Sequence, residues 1–73
     1  MKIAIYGAGA IGALLGAKLH LSGEDVTLIA RGPHLQAMQK SGVTVIESGE
    51  TYISHPSLAE NPKDIGPVDY LFI

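Results

Sequence analysis

The chain has 73 residues, a mass of 7.6 kDa and a formal net charge of −2. It is about half the usual size of a single domain, so an arrangement of several domains is excluded. Hydrophobic residues make up 47% of the chain and charged residues 16%, which indicates a folded aliphatic core rather than a disordered segment. The five lysines and arginines are scattered and cysteine is absent, so the sequence predicts neither nucleic-acid binding nor a disulfide framework.

An uncharged stretch at residues 3–17 lies between Lys2 and Lys18 and resembles a secretory signal peptide in layout. The stretch contains four glycines and is too short to span about 30 Å of hydrocarbon as a helix. It also continues directly into an amphipathic segment. We therefore predict a soluble, cytoplasmic protein without a membrane segment.

Two elements are predicted at the start of the chain. Residues 2–6 are mainly apolar and suit a short strand buried on both faces. Residues 10–22 are predicted to be a helix, with Gly23 at its C-terminal end. Its apolar residues have the spacing of one helical face: Ile11, Leu14, Leu15 and Leu19.

The next elements alternate in the same way. We predict a second strand at residues 26–30 and a second helix of about two turns from Pro33 to Ser41, with an apolar stripe. That stripe comprises Leu35, Ala37 and Met38. Residues 43–46 and 51–54 are two β segments whose spacing favours a hairpin.

The last third of the chain is less regular. Residues 55–67 hold three of the four prolines and are predicted to be a loop with at most one helical turn, over residues 57–60. An apolar strand is predicted over residues 68–73. The alternation of strands and helices predicts an α/β fold.

A glycine motif of the form G-x-G-x-x-G follows the first predicted strand and opens the first helix. The first glycine permits a tight turn, the second lets the backbone approach a pyrophosphate, and the third lets the helix lie close to the strands. Helix amides stabilise the phosphate charge without a basic side chain. Glycine-rich turns also join strands to helices without a ligand, but this context favours dinucleotide binding by Gly7, Ala8, Gly9, Ala10, Ile11 and Gly12.

The end of the second strand indicates which dinucleotide is bound. NAD sites usually carry an acidic residue there, about 20 residues beyond the motif, which accepts a hydrogen bond from the ribose 2′-hydroxyl. Here the place is held by Ala30 and Arg31. A guanidinium suits a 2′-phosphate, so Arg31 indicates a preference for NADP(H) over NAD(H). The alternative is that Arg31 is simply a surface arginine, and its position at the end of the strand argues against that. His34 lies close enough in sequence to approach the adenosine end, although a plain surface position is preferred.

Other chemistry has little support. The three histidines, His20, His34 and His55, are not spaced as a metal site, so no metal is predicted. No nucleophile pattern such as G-x-S-x-G is present.

Residues 1–16, 26–32 and 66–69 together resemble the start of the ketopantoate reductase (2-dehydropantoate 2-reductase) family, and the resemblance covers all 73 residues. It implies that residues 7–12 wrap the pyrophosphate of NADPH and that Arg31 binds its 2′-phosphate. It further implies hydride transfer from NADPH to the ketone of a small 2-oxo acid, giving pantoate for coenzyme A biosynthesis. The family's general-acid lysine and substrate residues have no matching position here, so no catalytic residue is assigned.

The resemblance also shapes our expectation for the whole protein. We expect residues 1–73 to be the N-terminal portion of a Rossmann-type, doubly wound and mainly parallel dinucleotide-binding domain, ending in the strand near Val68 without the helical C-terminal domain. Such a chain alone is expected to be inactive. The oligomeric state stays open, with a homodimer as one alternative. A regulatory nucleotide-binding module of a transporter is the main rival function, and the start of a flavoprotein is a weaker one.

Overall fold

The computed structural model of the protein describes residues 1–7 and 9–73, apart from the side chain of Ala10. Strands and helices follow one another closely along this part of the chain. In chain order they are β1 Lys2–Tyr6, α1 Ala10–Leu21, β2 Asp25–Ile29, α2 Gly32–Ser41, β3 Val43–Glu47, β4 Glu50–Ser54, β5 Ser57–Ala59, a 3-10 turn Pro62–Asp64 and β6 Tyr70–Phe72.

Four strands form a parallel sheet in the order β5, β2, β1, β6. Ile3 of β1 pairs with Val26 of β2 on one side and with Tyr70 of β6 on the other. Parallel neighbours cannot be joined by a tight turn, and α1 makes the connection from β1 to β2. The arrangement confirms the predicted α/β fold of Rossmann type.

The main core lies between the helices and one face of this sheet. Alternate residues of β1 and β2 point to that face. They pack with side chains of both helices in a cluster of Ile3, Ile5, Ala13, Val26, Leu28, Ala30, Leu35 and Met38. Within the predicted stripe of α2, Leu35 and Met38 are buried, whereas Ala37 is exposed.

Helix α1 contacts the sheet through small residues. Ala13 and Ala17 are buried, whereas Ile11 is 87% exposed and Leu14 and Leu15 are 42% and 40% exposed. The helix itself is confirmed, but of the four large apolar residues that indicated it Leu19 packs against the core and the other three are exposed. Small residues on its buried face allow the helix backbone to lie closer to the sheet than leucine side chains would permit.

Strands β3 and β4 pair antiparallel and form a separate two-stranded sheet, which confirms the predicted hairpin. The two residues of its turn, Ser48 and Gly49, have φ angles of 52° and 78°, as a type I′ turn requires. The Ser54 hydroxyl donates a buried 3.0 Å hydrogen bond to the Ala17 carbonyl oxygen. That bond fastens the hairpin to α1.

The prediction for residues 55–67 was wrong in two respects. Ser57–Ala59 is a strand, β5, and the helical turn predicted over residues 57–60 lies later, at Pro62–Asp64. β5 forms because β2 supplies partners for it, including a 3.0 Å hydrogen bond that the Ala30 N–H donates to its last residue. So short a segment has no pattern of its own, and its conformation depends on the neighbouring strand.

Smaller differences concern where strands begin and end. The final strand covers Tyr70–Phe72 rather than residues 68–73. Asp69 instead exchanges two hydrogen bonds with Lys2: its N–H donates to the Lys2 carbonyl oxygen at 2.8 Å, and its Oδ2 accepts from the Lys2 N–H at 2.7 Å. Neither helix in the described part of the chain has the length and apolar character needed to cross a bilayer.

Candidate dinucleotide-binding site

The glycine turn lies at the carboxyl end of β1, the central strand that leads into α1. Gly7 has a φ of +69°, and its carbonyl oxygen accepts a 2.7 Å hydrogen bond from the Gly9 N–H. Gly9 is the N-cap of α1, with φ −77° and ψ −167°. The predicted succession of strand, glycine turn and helix is therefore present. Ala8, which the sequence also assigns to the cofactor, lies outside the described residues.

The glycines of this segment differ in what surrounds them. A β-carbon at Gly12 would lie 3.3 Å from Ile5 Cγ2, so Gly12 serves the close packing of α1 on β1. A β-carbon at Gly7 or Gly9 would meet no described atom within 4 Å. Gly7 is needed for its positive φ, but Gly9 adopts a conformation open to any residue. Free space above the Gly9 backbone is what a bound phosphate needs.

The amino terminus of α1 is open to a ligand. Within the described residues no side chain caps it, and its first turn holds no acidic residue. The first intrahelical bond runs from the Ala13 N–H to the Gly9 carbonyl oxygen at 2.8 Å, so the amides before Ala13 point out of the helix end. Together with the helix dipole they favour an anion at this position.

A cleft of about 510 Å³ opens where the carboxyl ends of β1, β2 and β5 meet. In open α/β sheets, ligands bind at this edge. The cleft brings together residues that are far apart in the chain: Tyr6, Gly7, Ile29, Ala30, Arg31, His34, Glu60, Asn61 and Pro62. Gly7 and Arg31, both assigned to the cofactor from the sequence, therefore line one cavity.

Arg31 reaches this cleft because β2 ends two residues before it. It is the N-cap of α2, with φ −152° and ψ 167°, and its side chain is exposed. His34, in the first turns of α2, lines the same cleft. Of the remaining predicted residues, Gly9 and the exposed Ile11 lie at the start of α1, next to Gly7.

Sequence reasoning missed one wall of the cleft, which Glu60, Asn61 and Pro62 form directly after β5. Asn61 is held in place because its Oδ1 accepts a 3.0 Å hydrogen bond from the Lys63 N–H. No strand pattern marks the three residues of β5 in the sequence, so this wall could not be predicted from it.

A second cleft of about 510 Å³ lies beside β2 and β5 and includes the amino ends of β1 and β2. Its lining contains three carboxylates, from Asp25, Glu60 and Asp64, and one lysine, Lys2. The Lys2 Nζ is already engaged, since it donates a 2.7 Å hydrogen bond to the Ile65 carbonyl oxygen. Three carboxylates around one occupied lysine disfavour a phosphate, so the cleft beside Arg31 is the better dinucleotide site.

Comparison with known proteins agrees with this geometry. Residues 3–73 match the family described as ketopantoate reductase PanE/ApbA. A 2-dehydropantoate 2-reductase of Mesorhizobium japonicum is 43% identical over 74 residues, which cover 100% of this chain and 23% of the relative.

Solved structures give the same result. The PanE/ApbA family ketopantoate reductase of Ralstonia eutropha JMP134 superimposes with a TM-score of 0.84 at 34% identity, covering 97% of this chain and 24% of that one. A ternary structure of D-mandelate dehydrogenase with NADH and anilino(oxo)acetate gives a TM-score of 0.69 at 37% identity, covering 81% of this chain and 19% of that one. The chain thus spans a quarter or less of the length of these relatives.

Proposed function

Because the chain belongs to the ketopantoate reductase family, we propose that it is the cofactor-binding part of an oxidoreductase that reduces 2-dehydropantoate to pantoate with NADPH. The observation that carries this proposal is the shared cleft of Gly7 and Arg31. It supports a site for a pyrophosphate and a site for a further phosphate along the same sheet edge. Residues 1–73 would then be the N-terminal portion of a Rossmann-type dinucleotide-binding domain.

The backbone at the start of α1 would hold the pyrophosphate. Gly9 leaves room for it, and the free amides of the first turn donate hydrogen bonds to its oxygens. Gly12 acts indirectly, since its lack of a side chain lets α1 sit close to Ile5. The complete set proposed for this role is Gly7, Ala8, Gly9, Ala10, Ile11 and Gly12.

Arg31 would select NADPH. Arg31 is exposed and lines the cleft, and its guanidinium carries five donors that suit a phosphate. The two sites use different physics, because the helix amides recognise a phosphate through aligned dipoles and Arg31 through a full charge. The preference for NADPH over NADH therefore depends on Arg31 and not on the glycine turn.

The chemistry of the reaction belongs to the cofactor, since NADPH supplies the hydride that reduces the ketone of a 2-oxo acid. The hydride donor must be held about 3–3.5 Å from the carbonyl carbon. Residues 1–73 contribute to this by fixing the adenosine and pyrophosphate ends of the cofactor. We assign no catalytic residue among them. We propose that the whole protein acts in the cytoplasm, where it supplies pantoate for pantothenate synthesis.

The test is an assay of the intact protein with 2-dehydropantoate and NADPH. We expect NADPH absorbance to fall only when the 2-oxo acid is present, with pantoate as the product. Other 2-oxo acids, including one with an aryl side chain, are assayed in the same way as alternative substrates. Tight NADPH binding without turnover of any 2-oxo acid would contradict the reductase and favour the regulatory nucleotide-binding module.

A further inference from the structure

Glu60 occupies a place in the cleft that its position in the sequence does not reveal. It directly follows β5, whose last residues pair with β2 in the register Ile29 with Ala59. The Ala30 N–H donates a 3.0 Å hydrogen bond to the Ala59 carbonyl oxygen, so β2 and β5 are still paired at the point where both leave the sheet. Glu60 therefore emerges beside Ala30, and both Glu60 and Arg31 line the same cleft.

The cleft thus carries one guanidinium and one carboxylate that are not joined in a salt bridge. Within the described residues, the ion pair closer than 4.0 Å joins Lys18 to Glu47, on the hairpin side of α1, and not Arg31 to Glu60. Both side chains are exposed. Each is therefore available to a ligand in the cleft.

These two charges act in opposite ways on the two dinucleotides. A 2′-phosphate carries a charge of about −1.5 to −2 at pH 7, which Arg31 attracts and Glu60 repels. The ribose of NADH carries hydroxyl groups instead. A carboxylate can accept hydrogen bonds from these hydroxyls, whereas a guanidinium can only donate. In NAD sites the accepting carboxylate stands at the end of the second strand. Here that place belongs to Arg31, and a carboxylate is supplied by the strand beside it.

We propose that Glu60 is a specificity-determining residue. Its carboxylate accepts hydrogen bonds from the ribose hydroxyls of NADH, and its charge limits the preference for NADPH that Arg31 gives to the site. The inference rests on the proposed dinucleotide site and adds a second residue to its selectivity. It gives the cleft a reason to accept NADH as well, at lower affinity. Among the structural relatives, D-mandelate dehydrogenase binds NADH in its own structure.

The test is a titration of the intact protein with NADPH and with NADH, following cofactor fluorescence, for wild type and Glu60→Gln. We expect Glu60→Gln to bind NADPH about three- to tenfold more tightly and NADH about three- to tenfold more weakly, as for partly screened exposed charges. Glu24→Gln is the matched control. It makes the same change of net charge at the opposite end of β2, six residues before Ala30 and therefore about 20 Å away at the strand's rise per residue.

The possible results separate the two proposals. A wild-type protein that binds neither dinucleotide would overturn the site itself, and the role of Glu60 with it. A wild type that binds NADPH, with an NADPH-to-NADH affinity ratio that Glu60→Gln leaves within twofold, would overturn only the role of Glu60. Tighter NADPH binding with unchanged NADH binding would also overturn the role of Glu60, because Glu60 would then accept no hydrogen bond from the ribose hydroxyls of NADH. An equal shift in Glu24→Gln would show a general charge effect and contradict the inference.

Discussion

Gly16 of α1 lies directly against Leu28 of β2, so closely that a β-carbon at Gly16 would overlap the Leu28 Cδ2 atom. The Leu28 Cγ would be 3.1 Å away, and Leu28 is fully buried in the centre of the sheet. Gly9, seven residues earlier, has no described atom within 4 Å of the same point. Two glycines of one segment therefore have different surroundings, with a close packing contact at Gly16 and open space at Gly9.

Gly16→Ala should destabilise the fold. Overpacking a core costs about 1–3 kcal/mol, and the better helix propensity of alanine offsets about 1 kcal/mol of that. We expect a net loss of up to about 2 kcal/mol in the free energy of unfolding, measured with urea. In a Leu28→Ala background the overlap with Leu28 is absent, although a 3.3 Å contact with Ile5 Cδ1 remains, so the same substitution should cost less. Equal costs in both backgrounds would contradict the assigned contact.

Gly9→Ala should have the opposite profile. Its methyl group would meet none of the described atoms within 4 Å, so the free energy of unfolding should change by less than about 1 kcal/mol, the usual cost at an N-cap. It would enter the space proposed for the pyrophosphate, so NADPH affinity should fall at least about tenfold, or 1.4 kcal/mol. Titration and urea unfolding of one preparation measure both quantities. A variant that binds NADPH like the wild type would remove Gly9 from the site.

Arg31→Asp should separate the two dinucleotides. Loss of a charge-assisted hydrogen bond costs about 1.5–3 kcal/mol, so NADPH affinity should fall about 10- to 100-fold. NADH lacks the 2′-phosphate, and its affinity should change less than about threefold. Lys40→Asp, which makes the same charge change in the last turn of α2, is the control. Equal losses for NADPH and NADH in the Arg31 variant would count against the assignment.

Ser48→Asn should stabilise the hairpin. Ser48 is the one described non-glycine residue with a positive φ, 52°, a conformation that costs most residues about 1–2 kcal/mol and that asparagine adopts more readily. We expect a gain of about 0.5–1 kcal/mol in the free energy of unfolding. Ser22→Asn is the matched control, because Ser22 has a φ of −82° and should gain nothing. No gain at Ser48 would mean that the strain is relieved elsewhere.

Much of the fold could be predicted because its signals are local. The apolar run of β1, the glycines that open α1 and the turn between β3 and β4 act over a few residues, and the structure confirms these elements. Arg31 could be placed at the end of a strand for the same reason. Its meeting with Gly7 follows from a general rule, since the carboxyl ends of parallel strands lie at one edge of the sheet.

The remaining features depended on contacts between distant segments. Ser57–Ala59 has no strand signal of its own and becomes β5 only because β2 offers it free hydrogen-bonding groups. Glu60 joins the cleft as a consequence of that pairing. The buried face of α1 was likewise decided by the sheet, which accepts Ala13 and Ala17 at close range and leaves Ile11 outside.

The sequence by itself therefore determined the order of the elements from β1 to β4, the glycine turn and the charge at the end of β2. These depend on the conformations and charges of neighbouring residues. The tertiary structure alone decided which glycine serves packing, which face of α1 is buried and which carboxylate lines the cleft with Arg31. Those outcomes depend on strand register and on the distance between surfaces, and both are set when segments far apart in the chain pack together.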